Sequence, residues 1–172
     1  MKKLLCSLFA LSAVSTAMAQ EVNIKILGTS DIHGRVVPWS YGADVEDKSG
    51  SYAQIATYVK DVRKNNKNVV LVDVGDAIQD NQVDVFAKDK KYYKDHPIPK
   101  VLNEMKYDVF VLGNHEFNFG MKALDEILKD IKAKKLTANF YYKKNDKRYI
   151  DATTIIEKDG VKLGLSLIHI SE

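Results

Sequence analysis

The run Val69-Val70-Leu71-Val72-Asp73-Val74 (VVLVDV), followed at once by Gly75-Asp76, decides the fold. It is short, β-branched and almost wholly apolar, without the alternation of a half-exposed strand. That is the mark of a strand buried on both faces of a covered sheet. Upstream, Val22–Thr29 (VNIKILGT) alternates apolar and polar residues and reads as a second strand. A Gly-, Asp- and Ser-rich loop from Asp31 to Gly50 follows it. Ser51–Asn65 then reads as a helix whose buried stripe is Ile55, Tyr58, Val59 and Val62. Downstream, Gly75–Gln82 is a loop, and Pro97–Met105 a short helix with proline in its first turn. Asp108–Leu112 is the third strand and Gly113–Gly120 the third loop. Met121–Ala133 is an amphipathic helix with Leu124, Ile127, Leu128 and Ile131 on one side. Leu136–Ala138 is a short strand. Ile150–Glu157 and Val161–Leu165 form a hairpin around Lys158-Asp159-Gly160. Strands alternating with helices predict a layered α/β domain, a sandwich with a mixed β-sheet flanked by helices. In such sheets the loops after the strands carry the chemistry.

The first residues are read apart from the fold. Lys2 and Lys3, the apolar run Leu4–Val14 and the small-x-small step Ala17-Met18-Ala19 have the form of a secretory leader spanning residues 1–19. The run is shorter than the roughly 20 apolar residues a membrane span needs, so no stable anchor is expected after cleavage. The single cysteine, Cys6, falls inside this leader, so the mature chain is expected to offer no disulfide, no thiolate nucleophile and no cysteine-held metal. The expected location is the periplasm or cell envelope of a bacterium. The 26 basic and 23 acidic residues nearly balance, which argues against nucleic-acid polymers and anionic membranes as partners. The lysine-rich stretches Lys60–Lys67, Lys88–Lys94 and Lys143–Lys147 are interleaved with Asp and Asn and read as solvated surface.

Three strand-to-loop junctions concentrate polar chemistry. Thr29-Ser30-Asp31-Ile32-His33-Gly34-Arg35 sets a carboxylate and an imidazole two residues apart, on one side if the backbone is extended. Asp73-Val74-Gly75-Asp76 removes a side chain beside Asp76, so that other loops can approach it. Leu112-Gly113-Asn114-His115-Glu116-Phe117 offers a neutral amide oxygen and an imidazole directly after a buried strand. Each alone reads as a turn or helix cap, since Asp, Ser and Gly favour such places. Together, in the order D-x-H, G-D, G-N-H-E, each after an apolar strand, they differ in kind.

In that order the chain resembles the calcineurin-like metallophosphoesterases, and within them the bacterial 5′-nucleotidase / 2′,3′-cyclic-nucleotide 2′-phosphodiesterase (3′-nucleotidase) family. The resemblance runs from about Val22 to Leu165 and extends to Ser51–Lys60 (SYAQIATYVK), Asn103–Gly120 (NEMKYDVFVLGNHEFNFG) and Ala138-Asn139-Phe140. It implies two divalent metal ions, from among Zn, Mn, Fe and Co. Asp31 and His33 would bind the first metal, Asp76 would bridge the two, and Asn114 would bind the second. His115 would not be a ligand but would sit over the substrate phosphate. It implies hydrolysis of nucleotides, or of another small phosphoester, by a metal-activated water.

Asn118 departs from the 5′-nucleotidase branch, which commonly has Asp there, paired with the histidine. Asp would orient the ring and raise its basicity; Asn can only orient it. The run Glu116–Gly120 leans toward the branch that cleaves 2′,3′-cyclic and 3′-nucleotides. The family also completes its site with further histidines past the second hairpin, so residues 20–165 are expected to be the opening part of the catalytic domain, truncated and inactive alone. Residues 166–172 do not fit the family and are read as an artefactual tail, with His169 set aside as a ligand. The alternative reading is a non-catalytic secreted protein that binds metal or phosphate. Three further residues are given bland readings: His96 as a solvated loop residue, and Trp39 and Tyr41 as packing over the site in preference to base contact.

Overall fold

A computed structural model describes residues 21–168. The leader 1–19 with Cys6, and residues 169–172 of the tail with His169, lie outside the described residues. The strands are β1 (Lys25–Thr29), β2 (Trp39–Ser40), β3 (Val45–Glu46), β4 (Val69–Asp73), β5 (Val109–Val111), β6 (Lys134–Leu136), β7 (Tyr141–Tyr142), β8 (Lys147–Arg148), β9 (Thr153–Lys158) and β10 (Val161–Ser166). The α-helices are α1 (Tyr52–Asn65), α2 (Asp84–Lys88), α3 (Pro97–Glu104) and α4 (Met121–Lys129).

Four strands form a sheet in the order β1-β4-β5-β6. Every pairing in it is parallel, with Lys25 opposite Val69, Val72 opposite Val109 and Val109 opposite Lys134. Antiparallel pairing is confined to the separate ribbons β2-β3, β7-β8 and β9-β10, so the expected mixture lies between layers and not within the main sheet. β4 is buried along its whole length, as its unbroken apolar run requires. Its side chains alternate between two cores. Leu71, with Phe110 of β5, faces the helices and packs with Val59, Leu102, Leu124 and Ile127. Val70 and Val72, with Val109 and Val111, face the hairpin residues Ile156, Leu163 and Leu165. Each fully buried side chain of this size contributes about 1.5–3 kcal/mol. The result is three layers: helices, parallel sheet, hairpin.

Local chemistry accounts for the element ends. Ser51 caps α1 by accepting from the Gln54 N–H, and its hydroxyl donates to the Gln54 side chain. The β9-β10 turn places Asp159 and Gly160 at φ of 47° and 80°, the pair of positive values that a two-residue hairpin turn needs.

Several expectations are corrected. In α1 the buried face is Tyr52, Val59 and Val62, whereas Tyr58 is 61% exposed and faces solvent. The loop Asp31–Gly50 contains the β2-β3 ribbon. α2 and the 3-10 turns around it had no periodic signal, being too short to show one. α4 ends at Lys129 instead of Ala133 because the Asn103 side chain intercepts the chain there, donating to the Asp130 carbonyl and accepting from Lys132 N–H. Ser166 sits opposite Thr153 in the β10 ladder, and the Leu167 carbonyl accepts from Ala138 N–H.

Candidate metal and phosphate site

Because the main sheet is parallel, the C-terminal ends of β1, β4 and β5 lie on one edge, and the three polar loops meet there. The β1 and β4 loops continue pairing past the strands. Asp31 N–H donates to Gly75 O, His33 N–H to Asp76 O and Gly34 N–H to Ala77 O, at 3.0, 2.9 and 3.0 Å. Asp31, His33 and Asp76 do so with φ of 56°, 50° and 57°. The extended backbone expected for Asp31 and His33 is therefore replaced by left-handed turns, which Asp and His tolerate better than most residues.

Backbone proximity sets the site. A Cβ on Gly75 would lie 2.3 Å from Gly113 N, and one on Gly113 would lie 2.2 Å from Asp76 Oδ1. The two loops touch where both residues lack side chains. In that space His33, Asp76 and His115 bring one ligand atom each to within 4.8 Å of one another. The two imidazoles meet edge to face, with centroids 5.0 Å apart. Nδ1 of His33 is buried and has no hydrogen-bond partner among the described residues. An unpartnered imidazole nitrogen and a carboxylate are donors that fit a divalent cation.

The other candidates fall as follows. Asp31 is exposed and stands beside this triad, lining a groove of about 460 Å³ with His33, Arg35, Ser49 and Asn81. Asn114 lines a separate cleft of about 400 Å³ with Phe117, Asn139 and Phe140. His115 stands close to His33 and Asp76. Its Nδ1 lies 2.9 Å from the Asn118 amide nitrogen. Arg35, in the wall of the groove, is paired with Asp47, at 3.2 Å, and with Ser49. Trp39 and Tyr41 are 40% and 57% exposed and line a neighbouring cavity of about 240 Å³, so they do not pack down as expected.

Two carboxyls at the site were passed over in the sequence. Glu116 is buried, and both its oxygens accept: Oε2 from Asp76 and Gly113 N–H at 2.8 and 2.6 Å, Oε1 from Ala77 and Ile78 N–H at 2.7 and 3.2 Å. Burial raises its carboxyl above the ordinary value against the pull of the Asp76, Ala77 and Ile78 N–H groups; with both oxygens taken by donors, the ionised form is the one that fits the geometry. Asp73, at the end of β4, accepts from Thr29 and Tyr52 hydroxyls at 2.7 and 3.0 Å and from Gly75 N–H at 3.0 Å. Burial raises its carboxyl to about 7 against the pull of those three bonds. A periodic reading assigns such residues to a motif or a strand and has no means to see the donors converge. His96 is corrected outright. It is 1% exposed, its Nδ1 accepts from Ile98 N–H to cap α3, and its Nε2 bonds Ile78 O. Burial lowers it to about 4.

Among known proteins, the chain is 36% identical over 162 residues to the trifunctional nucleotide phosphoesterase protein YfkN of Bacillus subtilis, covering 85% of this chain and 11% of that protein. It is 34% identical to the 2′,3′-cyclic-nucleotide 2′-phosphodiesterase/3′-nucleotidase of Haemophilus influenzae, covering 90% of this chain and 24% of the relative. The chain thus spans a quarter or less of these relatives' length. The crystal structure of the calcineurin-like phosphoesterase YfkN superposes with a TM-score of 0.72 at 32% identity, covering 83% of this chain and 46% of the other. Among the described residues no helix is long and apolar enough to cross a membrane. The family model of the calcineurin-like phosphoesterases matches residues 24–170, across the sheet and all three polar loops, and the chain belongs to that family.

Proposed function

We propose that this chain is the opening part of an exported, metal-dependent phosphoesterase that hydrolyses nucleotides, 2′,3′-cyclic and 3′-nucleotides ahead of 5′-nucleotides. The observation that carries the reading is the convergence of His33, Asp76 and His115 on one sheet edge. Asp31, His33 and Asp76 would hold the cations, with the Asn114 side-chain oxygen offered from the β5 loop. When bound, the paired cations supply an activated water and offset charge on the phosphoryl oxygens. His115 acts on the phosphate. The Asn118 amide nitrogen can only donate, so the His115 Nδ1 it meets accepts, and the ring proton sits on Nε2, free to donate to a phosphoryl oxygen. The names of relatives such as the Haemophilus influenzae enzyme support the nucleotide substrate. The leader-like residues 1–19 support a bacterial envelope location.

The test is hydrolysis of 2′,3′-cAMP, 3′-AMP and 5′-AMP by a full-length version with added Mn²⁺. Asp76→Asn and His33→Ala should each lower kcat by about 100-fold or more, since the two-metal clamp is the source of the rate. Unchanged turnover in both would sink the reading. Tight metal binding with no hydrolysis by the parent protein would point to the non-catalytic alternative.

A further inference from the structure

The link between the β4 and β5 loops runs in both directions. The Asp76 carboxylate of the β4 loop accepts from the His115 backbone N–H of the β5 loop at 2.8 Å. The Glu116 carboxylate of the β5 loop accepts from the backbone of Asp76, Ala77 and Ile78 in the β4 loop and from Gly113 in its own. Each loop is held by a side chain of the other, and one residue, Glu116, is bonded to both backbones. It is 1% exposed and makes no ion pair among the described residues, so none of its capacity there goes to a basic partner. A residue needed only for core packing would be apolar here; a carboxylate is costly to bury unless it is fully hydrogen-bonded. We propose that Glu116 is a positioning residue that fixes the separation of the β4 and β5 loops, and with it the placement of Asp76 on which capture of a divalent cation depends. It touches neither cation nor substrate. The inference rests on Asp76 being a cation ligand.

Two lengths make the role specific. Aspartate is one methylene shorter and cannot span both backbones, so Glu116→Asp releases one loop. Glutamine keeps the length but has one acceptor oxygen, and its amide nitrogen would face N–H donors. Both variants should therefore loosen the separation without opening a large cavity. Val59→Ala, in the middle of α1 and remote from the three loops, is the control for stability loss alone.

The experiment measures Mn²⁺ affinity of the 172-residue chain, parent and variants, each well below its melting temperature. Amide exchange at Asp76, Ala77, Ile78 and Gly113 is measured in the metal-free state. Glu116→Gln and Glu116→Asp should weaken Mn²⁺ by about tenfold or more, the range seen when a partner that orients a ligand is lost. They should also speed exchange at the four amides, while Val59→Ala leaves both unchanged. Affinity within twofold of the parent in both Glu116 variants overturns the proposal, as does an equal loss in Val59→Ala. If the parent binds no Mn²⁺, the cation reading of Asp76 falls. The clamp is then judged by exchange, where unchanged protection in the Glu116 variants overturns it.

Discussion

His96 makes stability depend on pH with a sign and size that can be worked out. Its Nδ1 accepts from Ile98 N–H at 3.3 Å, so the proton sits on Nε2, which donates to Ile78 O at 3.2 Å. A second proton would have to enter at Nδ1, against the Ile98 N–H, in a buried position with the Phe86 ring edge-on at 6.3 Å. Burial is the main cause of its fall to about 4 from the ordinary 6.5; the Ile78 bond and the Asp84 charge work the other way. Above pH 6.5 both folded and unfolded chains hold a neutral ring, and the full stabilisation is present. Below it the unfolded chain takes up the proton and the folded chain does not, so stability falls until about pH 4. At 1.36 kcal/mol per unit the loss is about 2 kcal/mol by pH 5 and roughly 3 kcal/mol by pH 4. Carboxylates titrate in the same window, so the quantity to measure is a difference. His96→Asn keeps a good cap for α3 and removes the titration. Urea unfolding of both proteins should show the parent ahead by about 1–3 kcal/mol at pH 7.5, the worth of the lost Ile78 bond. That lead should shrink by about 2 kcal/mol at pH 5. A lead that stays constant from pH 7.5 to 5 would refute the buried neutral imidazole.

Asp73 has the opposite sign. Its carboxyl is raised to about 7, so the stability it contributes is complete below about pH 4 and is lost as pH rises through 7; Asp73→Asn should therefore gain on the parent in thermal melts between pH 5 and 8. Gly113→Ala forces a Cβ to within 2.2 Å of Asp76 Oδ1 and 2.6 Å of Asp76 N, and should cost at least about 2 kcal/mol and displace Asp76, read by urea midpoint and Mn²⁺ affinity together. Asn118→Asp in a full-length version replaces a donor to His115 Nδ1 with an acceptor and should shift relative use of 2′,3′-cAMP and 5′-AMP; an unchanged ratio removes Asn118 as the discriminator.

What could be read in the sequence, and what could not, follows from which forces are local. β4, α3 and the β9-β10 hairpin were legible because each carries its own signal: an apolar run, a proline start, an Asp-Gly turn. The meeting of the three polar loops was legible too, since parallel strands put their ends on one edge. The roles of Glu116, Asp73 and His96 were not. A buried charge or imidazole looks like a surface residue until the groups that satisfy it are in place, and many of those are distant in sequence: Asp76 is 40 positions from Glu116, Thr29 is 44 from Asp73 and Ile78 is 18 from His96. Tyr58 failed for the converse reason: helical spacing puts it beside the stripe, and only the packing of α1 turns it outward.

The strain at the site and the bonds across it belong together. Asp31, His33 and Asp76 all sit at positive φ, which for non-glycine residues costs about 1–3 kcal/mol each. Such residues persist only where their surroundings over-determine them. Here the surroundings are the three backbone bonds between the β1 and β4 loops and the four N–H groups that Glu116 collects, each worth about 0.5–1.5 kcal/mol net. The two sets are of comparable size. Neither loop would hold its left-handed turns if the other moved, so the three loops form one cooperative unit. A change in any of them should therefore be felt at His33, Asp76 and His115 together, and a substitution in one loop should alter amide exchange in the other two.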